Sequence, residues 1–338
     1  MRGARLRFGA GRGTSVSAST ISRRAVIAVL GTAGAGAILS AAACGHGSSG
    51  RAPTAADSAT GVASPTPPAS NAPDVVDPAD LPSYDYEGRD LAVISQGEAM
   101  AGRLYVPAIA DPVPLIICSH GLVGSIHDLD SVAQTLAGLG LASYCFAFRN
   151  GGPEAGDTTR MSVMTEVADL EAVVAAARSA ADGWEAVDPR RIVLQGVSQG
   201  GTVSTITAAR HPEEIAGLAL WYPAFSITED LHHVFTSLDE VPQSVTLGGY
   251  SLGRIYAEDM WDYDVYADMG RYPSPVLIVH GTADPTAPIS YSERAVRTFP
   301  DAELVTIDGA GHGFSGQAWD RAMGGTTAYL QRIGMLDD

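Results

Sequence analysis

The sequence predicts an α/β protein: a mostly parallel central sheet flanked by helices on both faces. Short runs of β-branched and aliphatic residues alternate with longer stretches of helical periodicity from about residue 113 to the C-terminus. The 338 residues are 46% hydrophobic and 17% charged, which suffices for a large core. The third observation is local: RIVLQGVSQGG at 191–201 reads as a buried strand, then G-x-S-x-G, then a helix over 202–210. A strand joined to a helix by so tight a turn strains the central residue, Ser198, and presents its hydroxyl at the end of the sheet. Glycines at 196 and 200 are needed because a β-carbon there would meet the neighbouring strand or helix.

The N-terminus stands apart from this fold. SRRAVI at 22–27 is a twin-arginine pattern, and the Gly- and Ala-rich apolar run over 25–43 after it marks residues 1–44 as an export signal rather than a membrane span. It closes with SAAAC at 40–44, which resembles a bacterial lipobox in which Cys44 would carry the lipid. Ala41 stands where a Leu is usual, and cleavage with secretion, or an uncleaved anchor, are the alternatives. Residues 45–83 are Ser, Ala, Pro, Thr and Gly with almost no large apolar side chain, a composition expected of a disordered tether. The folded domain then spans 84–338.

Every one of the 21 basic residues is Arg, and six of them precede Cys44. The exported chain therefore carries 15 basic against 38 acidic residues. Such a surface repels polyanions, which argues against a nucleic-acid partner. Contact with a membrane is expected only through a lipid on Cys44. Cys118 and Cys145 lie in apolar runs and read as buried thiols, with a disulfide between them left open. No Cys/His spacing suggests a metal site, and no cofactor is expected.

In order along the domain, residues 90–95 and 99–106 around Gln96-Gly97-Glu98 predict an antiparallel hairpin. Strands follow at 113–119 and 141–148, with a helix over 126–138 between them. The helix over 165–181 carries Glu166, Asp169 and Glu171 near its start, where acids suit the helix dipole. After the strand and helix around Ser198 comes a strand at 215–221. The alternation breaks over 222–272, a stretch rich in acids and aromatics (Phe225, Phe235, Tyr256, Trp261, Tyr263 and Tyr266 among them), which reads as an inserted cap. It resumes with a strand at 276–280, a helix over 290–299, a strand at 303–307 and a helix over 317–333.

A serine hydroxyl is a weak nucleophile until a base takes its proton, and the base needs an orienting acid. GTADP at 281–285 places Asp284 just past the strand at 276–280, and GAGHGF at 309–314 places His312 just past the next strand. Both loops open on the edge where Ser198 stands. The expected roles are Ser198 nucleophile, His312 base and then acid, and Asp284 orienter. Asp308 and Asp230 are competing acids. Asp308 fits a loop cap better, and His232, His233 and His280 fit structural or cap positions. The oxyanion donors are expected from the backbone N–H groups of Gln199 and Leu122, the latter after SHG at 119–121.

With these residues in place the chain resembles the α/β-hydrolases, in particular bacterial cinnamoyl (feruloyl) esterases and the serine aminopeptidase-like branch. SHG, GVSQGG at 196–201, HGTADP at 280–285, GAGHGF and, in the cap, TLGGY at 246–250 carry the likeness. It implies hydrolysis of small to medium carboxylic esters through an acyl-enzyme. It also implies a substrate pocket touched by Asp230, Tyr250 and Ser251, with Asp230 in the place of an acid that meets a phenolic hydroxyl. Ser251 stands where a pocket tyrosine is usual, and Arg149-Asn150-Gly151-Gly152-Pro153 departs from the R-G-x-G-x-S pattern. Rival functions are a peptidase or amidase, and a surface binding protein that has lost catalysis.

Overall fold

The computed structural model describes residues 75–152, 155–180, 182–247 and 249–337. The export signal, Cys44 and most of the tether lie outside the described residues. Residues 75–83, which composition assigns to the tether, are laid along the C-terminal helix. The Val76 N–H donates to the Gly324 carbonyl (3.2 Å), and Pro78–Asp80 forms one 3-10 turn capped by Asp77.

The expected hairpin is split in two. Its outer strands, β1 (Tyr86–Asp90) and β4 (Gly102–Pro107), pair antiparallel at the edge of the main sheet. Its tip, β2 (Val93–Ser95) and β3 (Glu98–Met100), forms a separate two-stranded ladder closed by Gln96 and Gly97, both at positive φ. The tip turns Val93 and Ser95 inward and leaves Ile94 62% exposed.

Beyond the hairpin come β5 (Val113–Ser119), α1 (Asp130–Gly138) and β6 (Ala142–Phe146). They are followed by α2 (Val163–Arg178), β7 (Val187–Val197), α3 (Gln199–Arg210) and β8 (Gly217–Trp221). Helix α1 starts later than its apolar pattern suggests. Asp128 accepts from both the N–H and the hydroxyl of Ser125 and closes a turn before the helix begins. Ser162 and Thr165 cap α2 reciprocally.

Within the cap lie α4 (Ile227–Val234), the hairpin β9 (Ser244–Leu247) and β10 (Tyr250–Gly253), α5 (Ile255–Met260) and α6 (Val265–Met269). Finally come β11 (Val276–Gly281), α7 (Ile289–Thr298), β12 (Ala302–Ile307) and α8 (Gln317–Arg332).

Among the described residues the main sheet has eight strands, in the order β1-β4-β6-β5-β7-β8-β11-β12. From β6 to β12 every pairing is parallel. Both faces of such a sheet must be apolar, and β5 shows it. Leu115 and Ile117 enter a core completed by α2 and α3, while Ile116 and Cys118 enter one completed by α1 and α8. Cys118 and Cys145 are free thiols, buried and directly opposite each other in the β5–β6 register. Phe225, Tyr256, Tyr266 and Tyr272 are buried in the same cluster as α2 and α3, so the cap shares the main core instead of enclosing its own. No described helix is long and apolar enough to cross a membrane.

Candidate active site

Because β5 to β8, β11 and β12 run parallel, their carboxyl ends lie along one edge, the usual place for a site in this architecture. Ser198 stands between β7 and α3 with φ 52° and ψ −122°, a strained conformation for a residue with a side chain. Three backbone bonds hold it. Its N–H donates to the Trp221 carbonyl (3.1 Å), and its own carbonyl accepts from Gly201 and Ala224. The tight crossing depends on Gly200, where a β-carbon would lie 2.3 Å from the Ser119 carbonyl oxygen and 2.4 Å from that of His120.

His312, in the loop after β12, has Nε2 2.9 Å from Ser198 Oγ and Nδ1 2.8 Å from Asp284 Oδ2. A carboxylate only accepts, so Nδ1 carries the proton and Nε2 is free to accept from the serine. Asp284 Oδ1 accepts the N–H groups of Thr286 (2.8 Å) and Ala287 (3.0 Å). Burial alone would raise this carboxyl's pKa. Hydrogen bonds from His280 and His312, the His312 charge and the Ala287 N–H outweigh it and hold the group well below the usual carboxylate range.

His280 lies fully buried behind Asp284. Its Nε2 donates to the Ala287 carbonyl (2.8 Å) with Asp284 Oδ2 at 3.3 Å, and its Nδ1 accepts from the Ser292 hydroxyl (2.7 Å). Asp308 instead accepts from Thr282 Oγ1, which in turn accepts the Gly309 N–H, so it ties the loop. His232 packs at a tilt against Trp261 in the cap, with ring centres 4.5 Å apart.

The loop after β5 comes directly against the serine. A β-carbon on Gly121 would sit 3.2 Å from Ser198 Cβ. Beneath the loop, buried His120 accepts the Phe148 N–H at Nε2 and donates from Nδ1 to the Gly121 carbonyl. Burial pushes its pKa below the usual imidazole value, in keeping with this neutral tautomer. Neither the Leu122 nor the Gln199 N–H has a backbone partner among the described residues, so both remain available as donors beside Ser198.

Other features carry no signal in sequence. Tyr222, immediately after β8, has φ 38° and packs edge-on against both His312 and Phe314 at 4.8 Å between ring centres. Glu166 and Asp169 are fully buried rather than solvated beside the helix dipole. Asp169 accepts from Ser95 Oγ, Arg149 Nε and the Arg149 N–H, whereas Glu166 accepts from Gln199 Nε2 at 2.7 Å. Only a tertiary contact tells such acids from exposed ones, because the local sequence looks the same.

The three pocket residues implied by resemblance stand outside the hydrogen-bonded set. Asp230, on α4, accepts from Ser226 Oγ (2.7 Å), and burial raises its pKa. Tyr250 is exposed on the β9–β10 hairpin, and the Ser251 carbonyl accepts from Thr158 Oγ1 (2.6 Å). None of the three has a hydrogen bond or ring contact with Ser198, His312 or Asp284 among the described residues. No cluster of three or more His, Cys, Asp or Glu among them could hold a metal.

A family model described as "Serine aminopeptidase, S33" matches residues 110–254, and one described as "TAP-like protein" matches residues 260–334. The uncharacterized protein Rv2307c of Mycobacterium tuberculosis is 30% identical over 227 residues, covering 67% of this chain and 72% of that protein. Among solved structures, Est1E from Butyrivibrio proteoclasticus with bound ferulic acid superposes with a TM-score of 0.66 at 24% identity, over 72% of this chain and 99% of Est1E. Esterase 2 of Thermogutta terrifontis phosphonylated by sarin gives a TM-score of 0.54 at 20% identity, over 76% of this chain and 98% of that one. Matched family models and a relative covered over most of its length agree: the chain belongs to the α/β-hydrolase superfamily.

Proposed function

We propose that this hydrolase is an exported serine esterase that cleaves small to medium carboxylic esters by way of an acyl-enzyme. The observation that carries the proposal is the continuous chain of hydrogen bonds Ser198 Oγ–His312 Nε2–Asp284 Oδ2, at 2.9 and 2.8 Å, open on the carboxyl edge of the sheet. Ser198 Oγ attacks the ester carbonyl as its proton passes to His312 Nε2, and Asp284 stabilises the resulting imidazolium. The carbonyl oxygen, now an oxyanion, takes hydrogen bonds from the Leu122 and Gln199 N–H groups. Collapse breaks the ester C–O bond, and His312 returns the proton to the leaving alkoxide, which departs as the alcohol. Water repeats the sequence on the acyl-enzyme, with His312 as base, and releases the carboxylic acid.

The esterase neighbours in structure, one of them holding ferulic acid, support esters as the substrate class and make hydroxycinnamates one candidate. A peptidase is the second reading, on the strength of the aminopeptidase family model. Its substrate ammonium would need a charged acid in the cap. The acids between Glu229 and Asp268 supply candidates, among them Asp230, whose carboxylate accepts from Ser226 Oγ. Export through the twin-arginine signal, with Cys44 carrying a lipid, is part of the proposal. An intact mass of membrane-extracted protein tests it.

The decisive assay compares the domain with its Ser198→Ala variant on p-nitrophenyl esters of increasing chain length, methyl ferulate and an aminoacyl p-nitroanilide. Ester turnover abolished by S198A supports the proposal. Turnover of the anilide alone favours the peptidase, and no Ser198-dependent turnover on any substrate favours a binding protein.

A further inference from the structure

Gln199 follows the nucleophile, and its side chain is gripped at both ends. Its Nε2 donates to Glu166 Oε2 on α2 at 2.7 Å, and its Oε1 accepts the hydroxyl of Tyr256, from cap helix α5, at 2.8 Å. All three side chains are buried. The other Glu166 oxygen, Oε1, is buried and has no hydrogen-bond partner. It faces Gly151, where a β-carbon would lie 3.1 Å away. Gly151 and Gly152 belong to the loop after β6, which packs tightly on the loop carrying Leu122. A β-carbon on Gly152 would lie 2.1 Å from the Gly124 carbonyl oxygen, and the Phe148 N–H donates to His120 Nε2. Glu166 thus bonds the Gln199 segment directly and reaches the Leu122 segment only by way of the Gly151–Gly152 turn.

For stability alone this is a poor place for a carboxyl group. Val163, Val167, Leu170 and Val174 make the rest of this helix face apolar. Asp169, one turn on, is compensated by Arg149 and Ser95, but Glu166 is only half satisfied. Burial, the dominant effect, and the nearby Asp169 raise its pKa well above the usual range despite the bond from Gln199, so the neutral acid is favoured.

We propose that Glu166 is a positioning residue for the oxyanion hole, fixing the Gln199 segment through its side chain and the Leu122 segment through Gly151, with Tyr256 extending the same bracket into the cap. The inference rests on the serine-hydrolase reading above. Glu166 touches no substrate. It acts by holding the direction of two backbone N–H groups, an effect felt in the transition state more than in the ground state.

The test uses three variants, Glu166→Leu, Glu166→Gln and Tyr256→Phe. Each is assayed on a p-nitrophenyl ester at pH 7, with active sites counted by a fluorophosphonate that labels Ser198. Removing an oxyanion donor outright lowers kcat by about 10²–10³-fold, so tilting one should lower it by about tenfold or more. The expected result is that fall in kcat per labelled site for E166L at nearly unchanged KM. Affinity for a boronic acid mimic of the tetrahedral intermediate should fall in parallel, and E166Q, which keeps an acceptor for Gln199, should restore both. Y256F should shift the same quantities in the same direction by a smaller factor, and it decides the matter alone if E166L does not fold.

A purely structural role would reduce the number of labelled sites and leave kcat per site alone. Per-site kcat and boronate affinity within twofold of the parent in E166L, or in Y256F where only that variant folds, overturn the inference and leave the esterase standing. A parent protein without Ser198-dependent turnover overturns the esterase reading and this inference with it.

Discussion

Replacing Asp284 by Asn tests whether the carboxylate sets the tautomer of His312. Oδ1 of Asp284 accepts two backbone N–H groups, from Thr286 and Ala287, at 2.8 and 3.0 Å. An amide NH₂ in that place would face two donors, so the Asn carbonyl oxygen must take it. The NH₂ is then forced into the position of Oδ2, 2.8 Å from His312 Nδ1. There it donates, Nδ1 must accept, and the imidazole proton moves to Nε2, which faces Ser198 Oγ at 2.9 Å. A protonated Nε2 cannot take the serine proton.

The corresponding asparagine substitution in the chymotrypsin-type triad, on an unrelated fold, lowers kcat by about 10⁴-fold. The same size of loss is expected here, about 5 kcal/mol of transition-state stabilisation at about 1.36 kcal/mol per factor of ten. The assay is ester turnover per folded molecule at pH 7, with circular dichroism to confirm the fold. A loss smaller than about tenfold refutes Asp284 as the orienting acid and sends the search to Asp308 or Asp230.

Three further outcomes follow from the contacts. Asp169→Ala leaves the buried Arg149 guanidinium with only the half-exposed Glu98 at 3.8 Å and should lower unfolding free energy by about 3 kcal/mol, read as a fall in the denaturant midpoint. Gly200→Ala drives a β-carbon into two backbone carbonyl oxygens and should prevent folding, while Gly121→Ala, at 3.2 Å from Ser198 Cβ, should fold normally and turn over ester more slowly. Asp284 and Glu166 pull stability in opposite directions with pH. The depressed pKa of Asp284 gives stability that is present above about pH 4 and lost on acidification, whereas the raised pKa of Glu166 gives stability that is full below about pH 4 and lost as pH rises. Glu166→Gln should therefore flatten the alkaline side of the Tm-against-pH curve without changing its acid limb.

Sequence alone reveals those parts whose chemistry repeats along the chain. Strand β5 is seven consecutive buried residues, and its sequence run gives both ends. Ser198, His312 and Asp284 stand out because each comes shortly after a strand run, in a turn or loop that contains glycine. What stays hidden depends on neighbours distant in sequence. Glu166 and Asp169 have the spacing of an exposed helix start, and their burial is decided by Gln199 and Arg149 from other segments. Residues 75–83 look like linker by composition, yet Val76 finds a carbonyl on the last helix. The hairpin breaks near Ala101 because its tip leaves the main sheet to reach α2, where Ser95 meets Asp169. No local pattern records that turn.

The backbone itself marks the same edge of the sheet. Val123, Asn150, Ser198 and Tyr222, all non-glycine residues at positive φ, follow the carboxyl ends of β5, β6, β7 and β8 respectively. The others of this kind among the described residues, Gln96, Ala180 and Asp182, lie at the hairpin tip and after α2. Each such conformation costs about 1–3 kcal/mol, and a β-branched Val or a bulky Tyr is especially ill suited to it. The strain is tolerable because the four strands behind it are buried on both faces and paired in parallel, leaving the chain no cheaper route across the edge. It also falls where it acts on the site: at Ser198 itself, at Tyr222 against the His312 ring, at Val123 beside Leu122, and at Asn150 beside the glycines that bear on Glu166. A rigid sheet and four strained exits thus bear on one edge, and the stability of the strands is what holds the hydroxyl, the imidazole and the proposed oxyanion donors in register.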